Sequence, residues 1–326
     1  MRSAAATRSC SISRQLRIAE ALERRSLLAQ QLTAYRLVHG AADGAAGLAV
    51  DRYADVAVLH ADSPSLLEAW LPSVRSEIEP LCPTAYAKIH RRGIGRINNQ
   101  ARLAPGTPVW GLPREDVLVA ERGVKFTIRP SVGLSVGLFL DMREVRDWLH
   151  QHCAGKTVLN LFAYTCSLGA VASRSGAERV VNLDVSRPYL EWGKSNYALN
   201  SLNVDDRDFV YGDAFDWLAR FAKRQQTFDV VIVDPPSFSS TPFSVTRDYV
   251  RLAEMASRVV APGGQLLAAT NHAATSPSRF ESWLVAGIER AGRHGRVLRR
   301  WHEPREDFPV PADGRPYLKV RAIELD

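Results

Sequence analysis

The sequence predicts an α/β fold, with a mostly parallel, doubly wound sheet preceded by a small α/β module. Three observations lead there. From about residue 143 to the C-terminus, helical and strand patterns alternate segment by segment. The strands of that region are short and almost wholly apolar, as in "KTVLNLFA" (156–163) and "FDVVIVDPP" (228–236), which suits strands covered on both faces. Before residue 112 the elements are fewer and basic residues crowd between them. The expected organisation is a flexible tail over 1–14, a small module over 15–112 and a larger domain over 113–326.

The elements follow in order. "RQLRIAEALERRSLLAQQL" (14–32) places Leu16, Ile18, Ala21, Leu22, Leu27 and Leu28 at helical spacing. "DVAVLHA" (55–61) reads as a strand, and "SPSLLEAWLPSVRSEIEPL" (63–81) as a helix started by Ser63 or Ser65. "AYAKIHR" (85–91) is a strand that runs into the basic stretch "RRGIGRINN". "DVLVAERGVKFTIRP" (116–130) alternates around Arg122-Gly123, as a hairpin does. In the larger domain, "REVRDWLHQH" (143–152) is a helix, 156–163 a strand and "GAVASRSG" (169–176) a short helix. "ERVVNLDVS" (178–186) is a second strand, "PYLEWGKSNYALNSL" (188–202) a helix, and "DFVYGDAFDWLARFAKR" (208–224) a strand, turn and helix. After the strand at 228–236 come a helix at 244–260, a break at "APGG" (261–264), a strand at 265–271 and a helix at 276–292. "RVLRRWHE" (296–303) and "PYLKVRAIEL" (316–325) close the chain as strands.

Composition excludes several classes. Of 326 residues, 46% are hydrophobic and 24% charged, and no apolar run approaches a membrane span. The four cysteines, Cys10, Cys82, Cys153 and Cys166, lack metal-ligand spacing and fit a reducing, cytoplasmic setting; no metal site is expected. The Arg- and Ser-rich first 19 residues have the composition of a transit peptide but no apolar core for secretion. The net charge of +7 favours a polyanionic partner such as RNA. The charge is clustered at residues 1–33, at Lys88, Arg91, Arg92, Arg96, Arg102 and Arg114, and at Arg293, Arg296, Arg299 and Arg300. Such clusters suit phosphates, and a solvated face is the competing reading.

Ligands of doubly wound sheets sit at the carboxyl ends of the strands. "NLFAYTCSLGA" follows the first strand of the larger domain, with Asn160, Tyr164, Thr165 and Ser167 polar and Gly169 opening a helix. It lacks the glycine pattern of a dinucleotide pyrophosphate loop. Asp184 ends the second strand, where a carboxylate can take two ribose hydroxyls; a helix cap is the alternative. Asp213 follows the third strand with Phe215 beside it, placed for an adenine amine or, again, a cap. "VVIVDPPSFS" follows, with Asp234, Pro235 and Phe238 offering an acceptor, a stiff backbone and an aromatic face. Two nucleoside-binding acids without a pyrophosphate loop suggest S-adenosylmethionine rather than NAD.

The order "LNLFAYTCSLGAVA", "NLDVS", "GDAF", "VDPPSF" resembles a Rossmann-like class I methyltransferase. More narrowly, it is similar to large-subunit ribosomal RNA methyltransferases of the I type and of the K half of the fused KL enzyme. "AYRLVHGAADGAAGLAVDRYADVAVLH" (34–60), "ERGVKFTIRPSVGLSVGLFLDMREVR" (121–146) and "DFPVPADGRPYLKVRAIEL" (307–325) extend the likeness over roughly residues 20–326. The resemblance implies a cofactor site of Asn160, Phe162, Tyr164, Thr165, Gly169, Asp184, Val185, Ser186, Asp213, Ala214 and Asp234. It implies catalytic roles for Asp234, Pro235, Phe238 and Asn271, and substrate contact by Arg143. Asp141 lies in the same "FLDMR" segment. Two departures matter. Too little chain precedes Tyr35 for the N-terminal PUA domain of I-type relatives. The cysteine that carbon-methylating relatives carry after the last catalytic strand is replaced by Thr270-Asn271-His272.

The expected function is methylation of a base in RNA, most specifically 23S ribosomal RNA. Carbon-5 of cytosine needs a thiolate adduct, whereas a ring nitrogen or amine needs only acceptors and alignment. Nitrogen methylation is therefore expected, with Phe238 stacking on the base and Arg91, Arg92 and Arg96 holding RNA. Cys166 lies in the cofactor loop and is the only thiol near a catalytic strand end. Small-molecule methylation, 5-methylcytosine formation and a non-catalytic RNA-binding role stay as alternatives. No membrane partner is expected; a homodimer is a permitted assembly.

Overall fold

The structure is a computed structural model that describes residues 2–90, 103–236, 243–311 and 314–326, with side chains from residue 13 on. The chain forms two compact units. The first spans Met1–Leu140 and Pro304–Arg315, the second Asp141–Glu303 and Pro316–Asp326.

In the first unit, helices α1 (Arg2–Arg24) and α2 (Ser26–Gln31) precede strands β1 (Ala34–His39), β2 (Leu48–Tyr53) and β3 (Val56–Ala61). Residues 2–14, read above as a loose tail, are the opening turns of α1. The three strands form an antiparallel meander, and α3 (Pro64–Ile78) crosses over to β4 (Thr84–Ile89), which pairs parallel with β3. Ser63 is the N-cap of α3: its side chain accepts from the Leu66 amide at 3.2 Å. Ile18 and Ala21 of α1 and Trp70, Val74 and Ile78 of α3 share one core with Leu37, Val50, Leu59 and Ile89 of the sheet. β1 and β2 were not read from the sequence, because charges interrupt their apolar runs. Arg36 and Asp51 are cross-strand partners, and the guanidinium holds both carboxylate oxygens at 2.6 and 2.9 Å. The hairpin of β5 (Val117–Glu121) and β6 (Val124–Ile128) turns at Arg122 and Gly123, both at positive φ (45° and 79°), which matches the twist of the two strands. It belongs to this unit rather than beyond a division at 112: the Thr33 hydroxyl accepts from the Ala120 amide at 3.2 Å.

In the second unit, α4 (Arg143–His152) precedes alternating elements: β7 (Thr157–Leu161), α5 (Ser167–Arg174), β8 (Arg179–Asp184), α6 (Arg187–Leu199), β9 (Phe209–Tyr211) and α7 (Ala214–Lys223). Then come β10 (Phe228–Val233), α8 (Val245–Ser257), β11 (Val260–Thr270), α9 (Pro277–Arg290), β12 (Gly295–Trp301) and β13 (Lys319–Leu325). The sheet order is β12-β13-β11-β10-β7-β8-β9. All pairings from β11 to β9 are parallel, while β13 runs antiparallel to both its neighbours. "APGG" lies inside β11 rather than between elements. The register jumps there, since Phe228 faces Val260 and Val230 faces Gln265, so the residues between bulge out of the ladder.

A polar ladder crosses the interior of this sheet. Asn160 of β7 and Asn182 of β8 are register partners, and the Asn160 amide donates to Asn182 Oδ1 at 2.9 Å. Asn182 donates in turn to the Tyr197 hydroxyl at 2.9 Å, which also accepts from Ser173 at 3.1 Å. Gly169 makes room for it: a Cβ there would lie 2.1 Å from Asn182 Oδ1 and 2.9 Å from the Tyr197 oxygen.

The first unit hangs on a buried ion pair. Arg25 Nη2 lies 2.6 Å from Asp43 Oδ2, with the two side chains 1% and 0% exposed. Asp43 also accepts from Arg24 at 2.8 Å and from the His39 amide at 2.7 Å, and Arg25 donates to the Asp307 carbonyl at 3.2 Å. Removing one partner strands the other charge. Asp43→Ala should therefore cost about 3–5 kcal/mol in chemical denaturation of the full chain, and a loss under ~1 kcal/mol would mean that Arg25 finds water instead.

Candidate active site

The strand order reverses between β7 and β10, so the chains leaving these strands diverge and open a crevice at their carboxyl ends. The loop after β7 is the most strained segment there. Phe162, Tyr164 and Cys166 all have positive φ (56°, 51° and 58°), a conformation that costs a non-glycine residue of order 1 kcal/mol or more. Specific bonds hold it. The Ala163 amide donates to the Leu183 carbonyl at 3.0 Å, Asn196 Nδ2 to the Thr165 carbonyl at 3.0 Å, and the Tyr164 amide to Asp184 Oδ2 at 2.9 Å.

Asp184, at the end of β8, also accepts from the Ser186 amide at 2.8 Å. Burial pushes its carboxyl up, against the amides of Tyr164, Ser186 and Val185, which pull it down. Ser186 caps α6, and Val185 beside it is 47% exposed, an apolar surface next to a fixed acceptor. Asp213 caps α7, with Ala214 as the first helical residue: the Phe215 and Asp216 amides reach Asp213 Oδ1 at 2.8 and 3.3 Å. Both bonds fall on one oxygen, which leaves Oδ2 able to accept from a ligand. Asp213 is thus a helix cap, whereas Asp184 caps no helix: Ser186 does that for α6, and Asp184 holds the loop after β7 and the Ser186 amide. Phe243 lies 6.0 Å from Phe162 and 6.3 Å from Phe215, and Arg251 covers the Phe215 ring at 4.9 Å.

Asp234 follows β10, with Pro235 buried after it. Burial, reinforced by the charge of Asp141, pushes the Asp234 carboxyl up to about 7. Asp141 sits in the 3-10 turn Leu140–Met142 before α4 and accepts from the Tyr317 hydroxyl at 2.8 Å. Asn271 is exposed just past β11. The next residue is anchored, since Lys319 Nζ donates to the His272 carbonyl at 2.8 Å.

Other expected site residues are engaged elsewhere. Asn160 is committed to the interior ladder, and Gly169 serves that ladder by having no side chain. Thr165 is fully buried. Arg143 is only 8% exposed, so it is not a surface cation for RNA. Of the C-terminal basic cluster, Arg293, Arg296 and Arg300 pair with Asp326, Glu324 and Glu281, and Arg299 stacks on Trp301 at 5.3 Å. Lys88 is fully buried in β4. Phe238, Arg91, Arg92 and Arg96 lie outside the described residues. Cys166 is fully buried against α6, where a Cβ at Gly193 would meet its Sγ at 2.3 Å, and burial together with Asp184 pushes its thiol well above the ordinary range. Sequence reasoning assigned no role to Tyr317 or Glu303. Tyr317 lies in the C-terminal "PYLK" segment, quoted for its likeness, and Glu303 at the end of "RVLRRWHE", read as a strand; neither was given chemistry.

Among the described residues, no group of three or more His, Cys, Asp or Glu could hold a metal ion, and no helix is long and apolar enough to cross a membrane. The residues present would fit an adenosine-bearing cofactor: carboxylates stand at successive strand ends, Asp184 with each oxygen already accepting from a backbone amide and Asp213 with both amides on one oxygen, beside the exposed Val185 and without a glycine-rich phosphate loop.

A sheet of this order with acids at these strand ends defines a class I methyltransferase, and residues 68–318 match the family described as S-adenosylmethionine-dependent methyltransferase. The chain belongs to that family, and S-adenosylmethionine is its cofactor. Within the family it is similar to a ribosomal RNA large subunit methyltransferase of Deinococcus radiodurans, at 33% identity over 95% of this chain and 78% of that protein. It is also similar to ribosomal RNA large subunit methyltransferase I of Aeromonas salmonicida, at 31% identity over 82% of this chain and 68% of that protein. A crystal structure of a methyltransferase complexed with SAH superposes with a TM-score of 0.87 at 26% identity, covering 96% of this chain and 81% of that one. A S-adenosylmethionine-dependent methyltransferase from Streptococcus mutans gives the same values.

The state of Asp234 has a consequence for stability. Its folded-state titration point of about 7 lies above the ordinary 3.8, so between those values the native chain keeps a proton that the unfolded chain has lost. Stability contributed by the neutral carboxyl is present at low pH and is lost as pH rises through that window. Asp234→Asn cannot ionise. In protein freed of cofactor, its stability relative to wild type should improve by about 2–4 kcal/mol between pH 4 and pH 8. A difference that stays flat across that range would mean the carboxyl ionises without penalty.

Proposed function

We propose that this enzyme methylates a ring nitrogen or exocyclic amine of a base in large-subunit ribosomal RNA, a purine before a pyrimidine. The names of its relatives support the RNA substrate. The observation that carries the nitrogen reading is the state of Cys166: a fully buried thiol pushed up by burial and by Asp184 does not supply the thiolate that carbon methylation needs. The segment 270–276 has no other thiol.

The cofactor supplies a methyl group carried on a sulfonium. Asp184 accepts from the ribose hydroxyls, and Asp213, with Val185 and Ala214, takes the adenine. The loop of Phe162, Tyr164 and Thr165 lies along the methionine end, above Gly169, and Ser186 fixes the turn beside it. For an exocyclic amine, Asp234 and the Pro235 carbonyl accept from its N–H groups, while a ring nitrogen needs only alignment; Phe238 stacks on the splayed base, and Asn271 donates to a base carbonyl. The prolines remove competing N–H groups. Arg91, Arg92 and Arg96 contact phosphates, and the enzyme works in the cytoplasm.

Two measurements test this. Asp184→Ala should weaken S-adenosylmethionine binding by about 2–3 kcal/mol in calorimetry, the worth of charge-assisted hydrogen bonds; equal affinities would reduce Asp184 to a residue that only holds the Tyr164 and Ser186 amides. Mass-spectrometric nucleoside mapping of 23S ribosomal RNA from a deletion strain should show the loss of one N-methylated purine. Loss of 5-methylcytidine would overturn the nitrogen reading, and an unchanged map would overturn the RNA substrate.

A further inference from the structure

At the outer edge of the second unit's sheet, α6, β9 and α7 bring arginines and aromatic rings into one connected run. β9 is the last strand in the sheet order, and Tyr211 ends it with 49% of its surface exposed. Arg187, the first residue of α6, lies over the Tyr211 ring, its guanidinium carbon 4.3 Å from the centroid. Trp217 of α7 is tied to the same tyrosine: its indole Nε1 donates to the Tyr211 carbonyl at 3.3 Å. Gly212 permits that approach, since its φ is 151° and a Cβ there would lie 2.5 Å from the indole nitrogen. Arg220, three residues along α7, lies over the Trp217 ring at 4.9 Å.

Both arginines are exposed, and among the described residues neither has a carboxylate partner. Neighbouring cations differ, since Arg179, Lys194 and Arg207 are each paired with an acid. Elsewhere in this unit Arg279 and Arg299 lie over Trp283 and Trp301, but those rings are only 8% and 3% exposed and offer a ligand no face. At Tyr211 half of the surface is open. The run is also anchored beside the strand-end crevice. The Gly212 amide donates to the Asp184 carbonyl at 3.0 Å, Ser186 caps α6 immediately before Arg187, and Asp213 caps α7 two residues after Tyr211.

We propose that Arg187, Tyr211, Trp217 and Arg220 form a contact surface for single-stranded RNA: Tyr211 stacks on an unpaired base of the substrate outside the methylated nucleotide, and the two arginines take flanking phosphates. The inference rests on the reading of the substrate as RNA and adds a contact on the second unit to Arg91, Arg92 and Arg96. A guanidinium held over a ring still has its N–H donors for a phosphate, and the ring already limits rotamers that binding would otherwise have to freeze. Stacking requires a base freed from its helix, because the faces of paired bases are covered by their neighbours. The surface therefore selects unpaired strand rather than a particular sequence.

Filter binding of the full chain to 23S ribosomal RNA from a deletion strain, across a range of salt, tests this. Arg187→Gln combined with Arg220→Gln should lower the slope of log affinity against log salt by about 1.4, the release from two phosphates of a single strand. Tyr211→Ala should weaken binding about tenfold, whereas Tyr211→Phe, which keeps the ring, should bind like wild type. S-adenosylmethionine affinity in calorimetry should be the same in all of them. Ultraviolet cross-linking of the wild type should place a nucleotide on the tryptic peptide 208–220, which carries both Tyr211 and Trp217. An unchanged slope in the double variant, wild-type binding by Tyr211→Ala, or cross-links confined to other peptides overturns the surface. A changed cofactor affinity overturns it as well, because the run would then wall the nucleoside of the cofactor. Failure of the RNA reading looks different: the wild type itself would neither retain nor methylate the RNA.

Discussion

Parallel pairing of β7 with β10 is the constraint on which the second unit depends. Parallel neighbours cannot be joined by a tight turn, so each strand must be followed by a crossover helix on one face of the sheet. The helices after β7, β8 and β9 and those after β10 and β11 build outward in opposite directions from that pair. Every strand-to-helix loop then falls at the same edge. The loops at 162–166, 184–186, 213–215 and 234–236 meet there because the topology allows them nowhere else. The carboxylate of Asp213 sits at that edge for the same reason, since it caps the helix that leaves the third strand of the crossover series.

The interior supports this edge with polar groups rather than with apolar packing alone. The Asn160–Asn182–Tyr197–Ser173 ladder ties β7, β8, α5 and α6 together directly beneath the strained loop. A buried network is favourable only when its members are satisfied, and each of these side chains makes a hydrogen bond of 2.9 or 3.1 Å. Above it, three left-handed residues and a reluctant carboxylate at Asp234 are features that a sequence selected for stability alone would lack. The site concentrates local cost where the sheet is best able to bear it.

Much of the fold was legible in the sequence. The alternation of apolar runs with helical periods located the strands and helices of the second unit to within a few residues. The N-cap at Ser63 and the hairpin at Arg122-Gly123 were legible because each depends on its immediate neighbours. β1 and β2 were not, because Arg36 and Asp51 look like loop residues until the register sets them opposite each other. Asn160 misled in the opposite direction. A polar residue at a strand end reads as a ligand contact, and only the partner strand shows that its amide is already taken.

The sequence by itself determined the class of fold, because periodicity is local and survives as an ordered pattern along the chain; strand-end acids pointed to the cofactor, and the likeness of the ordered motifs to a known family pointed to the family. Tertiary structure alone decided which of those residues are available. It buried Cys166 beneath α6, paired three of four C-terminal arginines with acids, and withdrew Arg143 and Lys88 from the surface. It also brought Tyr317 to Asp141 across 176 residues of chain. Availability and proximity of this kind are set by desolvation and by through-space charge, which depend on distance in three dimensions and leave no periodic trace in the order of residues.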